Sequence, residues 1–260
     1  MMMLRGASLT HPKRDRRAGN TRPSHCPMDV IYPYLRAPED FELRYSLRSL
    51  ANMTHDRVIV AGDRPAITSD RACHIPVPRM NDRYRSSTTN ILSAVVRADV
   101  TDKFVVMHDD IFLLKPWADR HQHRATIAEY LGSGAAMGTY RQVLRTTYEI
   151  LRSHGISDPL FFGMHTPCVY EASKFIDLVN EFRDRRYLTR TLYFNLFPQP
   201  SMPSQDVKLK RWRDDAPIGS VLSISDDVAR SKRFRSWIDA RFSVPSEYER
   251  QSHHEKDNDR

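Results

Sequence analysis

Two adjacent aspartates at the end of an apolar run give the strongest chemical signal in the sequence. The segment Lys103–Pro116 reads KFVVMHDDIFLLKP and places Asp109 and Asp110 between two apolar stretches. Neighbouring carboxylates bracketed by core residues cost free energy unless their charge is compensated. Hard divalent cations bind carboxylate and phosphate oxygens, so we interpret the pair as a metal or phosphate site. The alternative is a loop cap in which the carboxylates accept backbone N–H bonds.

An arginine pair on a predicted helix is the second candidate. In EDFELRYSLRSL (39–50), Arg44 and Arg48 are four residues apart and share a helix face, away from a stripe of leucines. Two guanidinium groups on one face could bind a phosphate bidentately. The alternative is a solvated face on which Arg44 pairs with Asp40, and helix geometry alone does not separate the two.

Two short polar segments complete the set of candidates. In GMHTP (163–167), His165 could be a base, a metal ligand or a turn residue ahead of a helix, and the sequence alone favours the turn. In SQDVK (204–208), Ser204 could cap a short helix with Asp206 and Lys208 near its start. The alternative for the second segment is the start of an ordinary surface helix.

Strands and helices alternate along the chain and must position these side chains. The predicted strands are 29–34, 57–61, 74–77, 103–107 and 160–163, and the predicted helices begin at 38 and span 88–98, 140–153, 171–182 and 231–242. Continuous apolar strands between helices predict an α/β fold with a mostly parallel sheet flanked by helices. Ligands bind at the carboxyl ends of such strands. The sequence has neither GxGxxG after the first strand nor GxxxxGK[ST], which disfavours a dinucleotide or P-loop site.

The net charge of +8 is unevenly distributed over the 260 residues. Residues 1–27 carry six basic residues against one acid, a net charge of +5, so only +3 remains for the rest. A mildly basic body suits an enzyme for phosphorylated substrates better than a dedicated nucleic-acid binder. We expect a disordered basic tail over 1–27, one α/β domain over 28–245 and a disordered tail over 246–260.

Cysteine usage and hydropathy bear on the compartment. The three cysteines are far apart, which excludes a disulfide scaffold and suits a reducing cytoplasm. No stretch approaches the roughly 20 apolar residues of a membrane helix. We therefore expect a cytoplasmic protein without a membrane span.

Taken together, the motifs resemble those of a known family. ELRYSLRSL, the following strand with Gly62-Asp63, and the HDD that ends a buried strand resemble the Stealth-type sugar-phosphate transferases. These are related to capsular polysaccharide phosphotransferases and to short glycosyltransferase-like proteins of bacteria and phages. SSTTNIL (86–92) supplies the family's helix asparagine, Asn90, and His108 stands where the family has Asn before two aspartates. His165-Thr166-Pro167 resembles the family's His-x-Pro motif, and RTLYFNL (190–196) with QDVK (205–208) is similar to the closing motif of the short members.

The resemblance implies a Rossmann-like fold of GT-A type and transfer from a nucleotide-diphosphate sugar, with Mg²⁺ or Mn²⁺, to a carbohydrate or other hydroxyl acceptor. The roles that it implies are metal binding by Asp109 and Asp110, phosphate neutralisation by Arg44, Arg48 and Lys208, hydroxyl binding by Asn90, and general-base catalysis by Asp206 or His165. DVIYPYLRA (29–37) lacks the Asp-Gly of the phosphotransferases, which favours a plain glycosyltransferase. The alternatives are sugar-1-phosphate transfer and, from another class, a basic nucleic-acid-binding protein.

Overall fold

The computed structural model describes residues 27–250 except Pro38 and Pro217. Its strands are β1 (Met28–Tyr34), β2 (His55–Gly62), β3 (Cys73–Pro76), β4 (Lys103–Val106), β5 (Ile111–Leu113), β6 (Gln122–His123), β7 (Cys168–Glu171), β8 (Met202–Pro203), β9 (Lys208–Leu209) and β10 (Val221–Ile224). Its helices are α1 (Phe41–Ser49), α2 (Arg83–Arg97), α3 (Ile127–Gly132), α4 (Gly138–Ser153), α5 (Ala172–Phe182), α6 (Thr189–Leu196), α7 (Asp226–Ala229) and α8 (Lys232–Arg241).

The central sheet has the strand order β3-β2-β1-β4-β7. The pairs β1–β2, β1–β4 and β2–β3 are parallel, and only β7 runs antiparallel, beside β4. Helices cover both faces: Ile31 and Ile59 pack with α2 and α5 on one face, whereas Val30 packs with the leucines of α1 on the other. The predicted fold class, an α/β fold with a mostly parallel sheet flanked by helices, is confirmed.

A second, smaller sheet stands beyond the carboxyl end of β4. Its order is β5-β10-β9, with β5 antiparallel and β9 parallel to β10. The chain turns at Asp109 and Asp110 to pass from the central sheet into β5. This turn is therefore flanked by β9 and β10, which come from the last quarter of the chain, and the two sheets together position the polar side chains described below.

Several element boundaries differ from the sequence-based expectation. Helix α2 begins five residues early, because the Asp82 side chain accepts hydrogen bonds from the backbone N–H groups of Tyr84 and Arg85. Val96, an apolar residue of this helix, is 60% exposed. Residues 160–163 form only an isolated bridge, from Leu160 to Thr126, and no strand.

The two loops with candidate residues also differ. His165 precedes the edge strand β7 and not a helix, and residues 204–207 form a loop that leads into β9, so Ser204 caps no helix. In both cases the irregular backbone is fixed by contacts with distant parts of the chain, which local patterning does not encode.

The end of the described chain is packed against the domain. Tyr248 is buried, its carbonyl accepts a hydrogen bond from Ser69 N–H at 2.8 Å, and Arg250 N–H donates to the Ile67 carbonyl at 2.7 Å. The predicted tail boundary at 246 is therefore wrong for residues 246–250, which belong to the folded domain. Residues 1–26 and 251–260, the rest of both predicted tails, lie outside the described residues. Within the described range, no helix combines the length and apolar character that a membrane crossing requires.

Candidate functional site

A cleft of about 1000 Å³ opens beyond the carboxyl end of β4. Its walls come from α2, the turn after β4, the loop before β7, α6 and the segment that leads into β9. Five basic side chains line it, namely Arg83, Arg124, Arg190, Lys208 and Lys210. Among the described residues, only two acids do so: Asp110, which pairs with Lys208, and Asp206, which lies near Arg124. The excess of positive charge would favour an anionic ligand over a cationic one.

Asp110 is held at one end of the cleft by groups from the small sheet. Its Oδ2 accepts hydrogen bonds from Lys208 Nζ at 2.7 Å and from Ser223 Oγ at 2.9 Å. Burial alone would raise the pKa of Asp110, but the charge of Lys208 and these hydrogen bonds bring it below its usual value. Asp110 is thus an ionised carboxylate beside a lysine, although the two are 98 residues apart in sequence.

His165 and Asp206 form a hydrogen-bonded dyad in the same cleft. Asp206 Oδ2 lies 2.7 Å from His165 Nδ1, and its Oδ1 accepts the His165 backbone N–H at 3.1 Å. Arg124 Nη1 lies 3.7 Å from Asp206 Oδ2. Burial would raise the pKa of Asp206, but the hydrogen bonds from His165 and the charge of Arg124 lower it below its usual value. An ionised Asp206 selects the tautomer with a proton on Nδ1, which leaves the lone pair of Nε2 able to accept a proton.

His108 lies between these two groups. Loss of hydration lowers its pKa, and the nearby charges of His165, Arg190 and Lys208 lower it further against the opposing effect of Asp110. The imidazole is therefore kept neutral, and its position where the resembling family has Asn gives the cleft a neutral polar group.

Asp109 and Glu42 form an acidic pair behind Asp110. Burial, followed by the charge of Asp110, raises the pKa of Asp109 to about 7. Burial, followed by the charges of Asp109 and Asp110, raises the pKa of Glu42 to about 8. Of the two adjacent aspartates, Asp110 lines the main cleft and Asp109 comes directly before it in the turn. Glu42 is a residue that the sequence analysis missed, and its place in the first turn of the helix after β1 was the available signal.

The acids suit a hard divalent cation, although they do not enclose one. Among residues 27–250, no group of three ligating side chains could hold a metal ion. Mg²⁺ commonly takes one or two carboxylates and completes its shell with water and substrate phosphates. The raised pKa values of Asp109 and Glu42 indicate that this cluster has too little positive charge around it. Asp109 and Asp110 therefore fit the metal that the resemblance implies, provided that the ligand contributes the remaining oxygens.

The predicted arginine pair lies outside the cleft. Arg48 makes a bidentate pair with Glu249, through Nε at 2.7 Å and Nη2 at 2.9 Å, and donates a third hydrogen bond to the Phe242 carbonyl. Arg44 Nη1 lies 4.0 Å from the same glutamate and borders a separate shallow depression. The structure therefore does not bring Arg44 and Arg48 to the candidate phosphate site, and the acid beside Arg44 is Glu249 and not Asp40.

Asn90 also lies outside the cleft, although its helix lines one wall. It is 2% exposed and packs at the carboxyl ends of β1 and β2. A Cβ atom on Gly62 would come within 2.6 Å of Asn90 Nδ2 and 2.2 Å of the Tyr34 carbonyl oxygen. Asn90 therefore packs against backbone and does not reach the ligand space, which corrects its predicted role in binding hydroxyl groups.

A wall of tyrosine and arginine was not predicted. Arg83 stacks on Tyr84 at 4.8 Å, and Arg124 stacks on Tyr130 at 5.0 Å, both distances being measured to the ring centroids. Tyr140 completes this wall, next to Tyr84. Aromatic faces beside guanidinium groups suit a ring that carries polar or anionic substituents. No spacing rule marks these residues, because three different elements bring them together.

Comparisons with known proteins are sparse. No family model matches the chain, and no curated protein sequence matches it. Among solved structures, the chain is similar to the galactosyltransferase LgtC in complex with donor and acceptor sugar analogues. The sequence identity is 13% and the TM-score 0.42, over 85% of this chain and 99% of the other. Because the similarity is this low, the roles of individual side chains can be argued only from the geometry of the cleft.

Proposed function

We propose that the protein is a glycosyltransferase that moves a sugar from a nucleotide-diphosphate sugar to a hydroxyl acceptor. The observation that carries this proposal is the meeting of Asp110–Lys208 and His165–Asp206 in one basic cleft of about 1000 Å³. That volume suits a ligand of nucleotide-sugar size. The Stealth-like motifs and the α/β fold with a mostly parallel sheet support the same class.

The His165–Asp206 dyad and the lysines of the cleft perform different parts of the reaction. His165 Nε2 takes the proton of the acceptor hydroxyl while Asp206 holds the imidazole in position and stabilises the positive charge that it gains. The acceptor oxygen then forms a bond to the anomeric carbon as the bond from that carbon to the diphosphate breaks. Lys208 and Lys210 neutralise the negative charge that develops on the departing diphosphate.

Asp109 and Asp110 would hold Mg²⁺ or Mn²⁺, which when bound would supply further positive charge to the diphosphate. Arg44 and Arg48 have no part in this scheme, because they lie elsewhere. Transfer of a sugar phosphate is the second candidate, favoured by the Stealth-like ELRYSLRS and His-x-Pro motifs. It would use the same residues with attack on phosphorus, and a phosphodiester in the product would identify it.

The first experiment is a thermal-shift screen of UDP-, GDP- and dTDP-sugars with and without Mn²⁺, since a ligand of the native state raises its melting temperature. The donor found is then used in a transfer assay. We expect Lys208→Met to raise the Kd for the donor about tenfold, and Asp206→Asn to lower kcat about 100-fold at unchanged donor Kd. Arg213→Gln, an exposed arginine paired with Asp215, is the control. The proposal would be contradicted if no nucleotide sugar raised the melting temperature under any of these conditions.

A further inference from the structure

Arg190 connects α6 to the loop that carries His165. Its Nη1 donates hydrogen bonds to the carbonyls of Met164 at 2.9 Å and Thr166 at 2.7 Å. Its Nη2 donates to Thr166 Oγ1 at 3.0 Å. One guanidinium group therefore holds the residues on both sides of His165, from an element that begins 24 positions further along the chain.

Apart from the burial of Met164 and Thr166, the loop is held by few other contacts. Residues 163–167 contain no helix or strand, and the His165 side chain is 43% exposed. Within the loop, Met164 N–H donates to the Phe162 carbonyl at 2.7 Å, and His165 N–H donates to Asp206. The carbonyls before and after His165 are thus fixed by Arg190, while its N–H and Nδ1 are fixed by Asp206.

The geometry of a guanidinium group suits the task of holding this loop. A planar guanidinium can donate to several acceptors at fixed angles, whereas a lysine ammonium is a single compact donor. Arg190 Nε is buried and has no hydrogen-bond partner among residues 27–250. The hydrogen bonds of Nη1 and Nη2 are therefore the contacts by which Arg190 holds the loop.

We propose that Arg190 is a positioning residue for His165. It fixes the 163–167 loop so that Nδ1 meets Asp206 and Nε2 faces the cleft, where the acceptor hydroxyl would lie. Arg190 lines the cleft, but all the hydrogen bonds of its guanidinium group go to Met164 and Thr166, so it acts through the loop. This inference rests on the proposed function, in which His165 is the general base.

Two variants of Arg190 and a matched control test it. Arg190→Gln removes the charge and two of the three donor nitrogens. Arg190→Lys keeps the charge but lacks the planar guanidinium group. Arg185→Gln is the control, since Arg185 is exposed and lies outside the cleft. We expect both Arg190 variants to lower kcat by about 10- to 100-fold with unchanged donor Kd, because small displacements of a catalytic group have effects of this size. Where R190Q does not fold, R190K carries the test.

A spectroscopic readout separates this inference from the proposed function. The ¹⁵N signals of the His165 ring, assigned with His165→Ala, should show the Nδ1–H tautomer in the wild type and in R185Q. They should show a mixture of tautomers in R190Q and R190K, whether or not any transfer activity has been found. Wild-type ring signals in both Arg190 variants would overturn the inference. An equal loss of donor affinity and kcat would also overturn it, because Arg190 would then contact the donor.

Discussion

The carboxylates in and near the cleft are of two kinds when considered residue by residue. Asp110 and Asp206 each have a cationic partner, and their pKa values lie below the usual range. Asp109 and Glu42 have no such partner within hydrogen-bonding distance among the described residues, and burial raises their pKa values. Asp110 and Asp206 are therefore suited to staying ionised. Asp109 and Glu42 are suited to losing their protons when a cation binds.

Glu42 and Asp109 should make stability depend on pH. A carboxyl with a raised pKa binds its proton more tightly in the folded state, so its contribution to the free energy of unfolding is greatest below the ordinary value of about 4. That contribution is lost as pH rises toward the folded values of about 8 for Glu42 and about 7 for Asp109. Without divalent cations, we expect Glu42→Gln to be more stable than wild type by about 1–3 kcal/mol at pH 8.5 and nearly equal to it at pH 4.5.

Urea unfolding at the two pH values measures this difference. Asp184→Asn, a change of an acid whose side chain is 89% exposed, is the control and should follow the wild type at both. If the difference in stability between Glu42→Gln and the wild type is the same at both pH values, the pKa of Glu42 is not raised as its burial indicates.

Metal binding should release a proton from the same cluster. At pH 6, Asp109 is mostly protonated, and a bound cation requires the carboxylate, so Mn²⁺ should displace the proton. Calorimetry of Mn²⁺ binding in two buffers of different ionisation enthalpy measures the release, here with UDP present to supply phosphate oxygens. We expect Asp109→Asn to bind Mn²⁺ about tenfold more weakly and with less proton release, whereas Asp184→Asn should match the wild type. Equal proton release in Asp109→Asn would exclude Asp109 as the ligand.

The sequence predicts the role of a residue well at the end of a strand. It predicts the role poorly where the residue pairs with a partner that is distant in the chain. Asp110 follows an apolar strand, and parallel strands present their carboxyl ends to ligands, so its place in the cleft could be predicted. Arg48 looked like a phosphate ligand because its helix face is polar. Its partner Glu249 lies 201 residues further along the chain, and helical spacing carries no information about it.

At the level of elements, strands buried on both faces were predictable and short edge strands were not. The apolar runs of β1, β2 and β4 predict buried strands whatever their neighbours. Strand β9 has two residues, and its conformation comes from pairing with β10, so its own sequence does not specify it. The same reason explains why residues 160–163, an apolar run, form no strand: they have only a single bridge partner, Thr126.

Gly62 should be indispensable where β2 meets β1 and α2. Its φ of 122° is one that other residues rarely adopt, and a Cβ would lie 2.2 Å from the Tyr34 carbonyl oxygen. We expect Gly62→Ala to lower the free energy of unfolding by about 2–4 kcal/mol, measured by urea denaturation. Gly132→Ala is the matched control, because nothing lies within 4 Å of its added Cβ, and it should be neutral or slightly stabilising. If Gly62→Ala were as stable as the wild type, the ends of β1 and β2 could move apart without a cost in free energy.

In the whole molecule, the last described residues tie the domain together. Residues 246–250 contact the loop between β2 and β3 through Ser69 and Ile67, and contact α1 through Glu249 and Arg48. His55 Nε2, at the start of β2, lies 2.8 Å from Tyr248 Oη. This segment looks like a frayed end in the sequence because it is polar and short. Its contacts join parts of the chain about 200 residues apart, and only the folded structure reveals them.

Arg48 should therefore govern stability and leave donor binding unchanged. Breaking one side of a buried ion pair leaves an uncompensated charge, so Arg48→Met and Glu249→Met should each lower the free energy of unfolding by about 3 kcal/mol or more. The double variant replaces both charges with apolar groups and should recover much of that loss, as urea denaturation of all four proteins in a double-mutant cycle will measure. Arg235→Met, a change at a more exposed arginine that pairs with Glu39, is the control and should cost less than about 1 kcal/mol. Below its melting temperature, Arg48→Met should bind the donor as the wild type does. A tenfold weaker donor affinity without any loss of stability would restore Arg48 to the phosphate site and contradict the structural role.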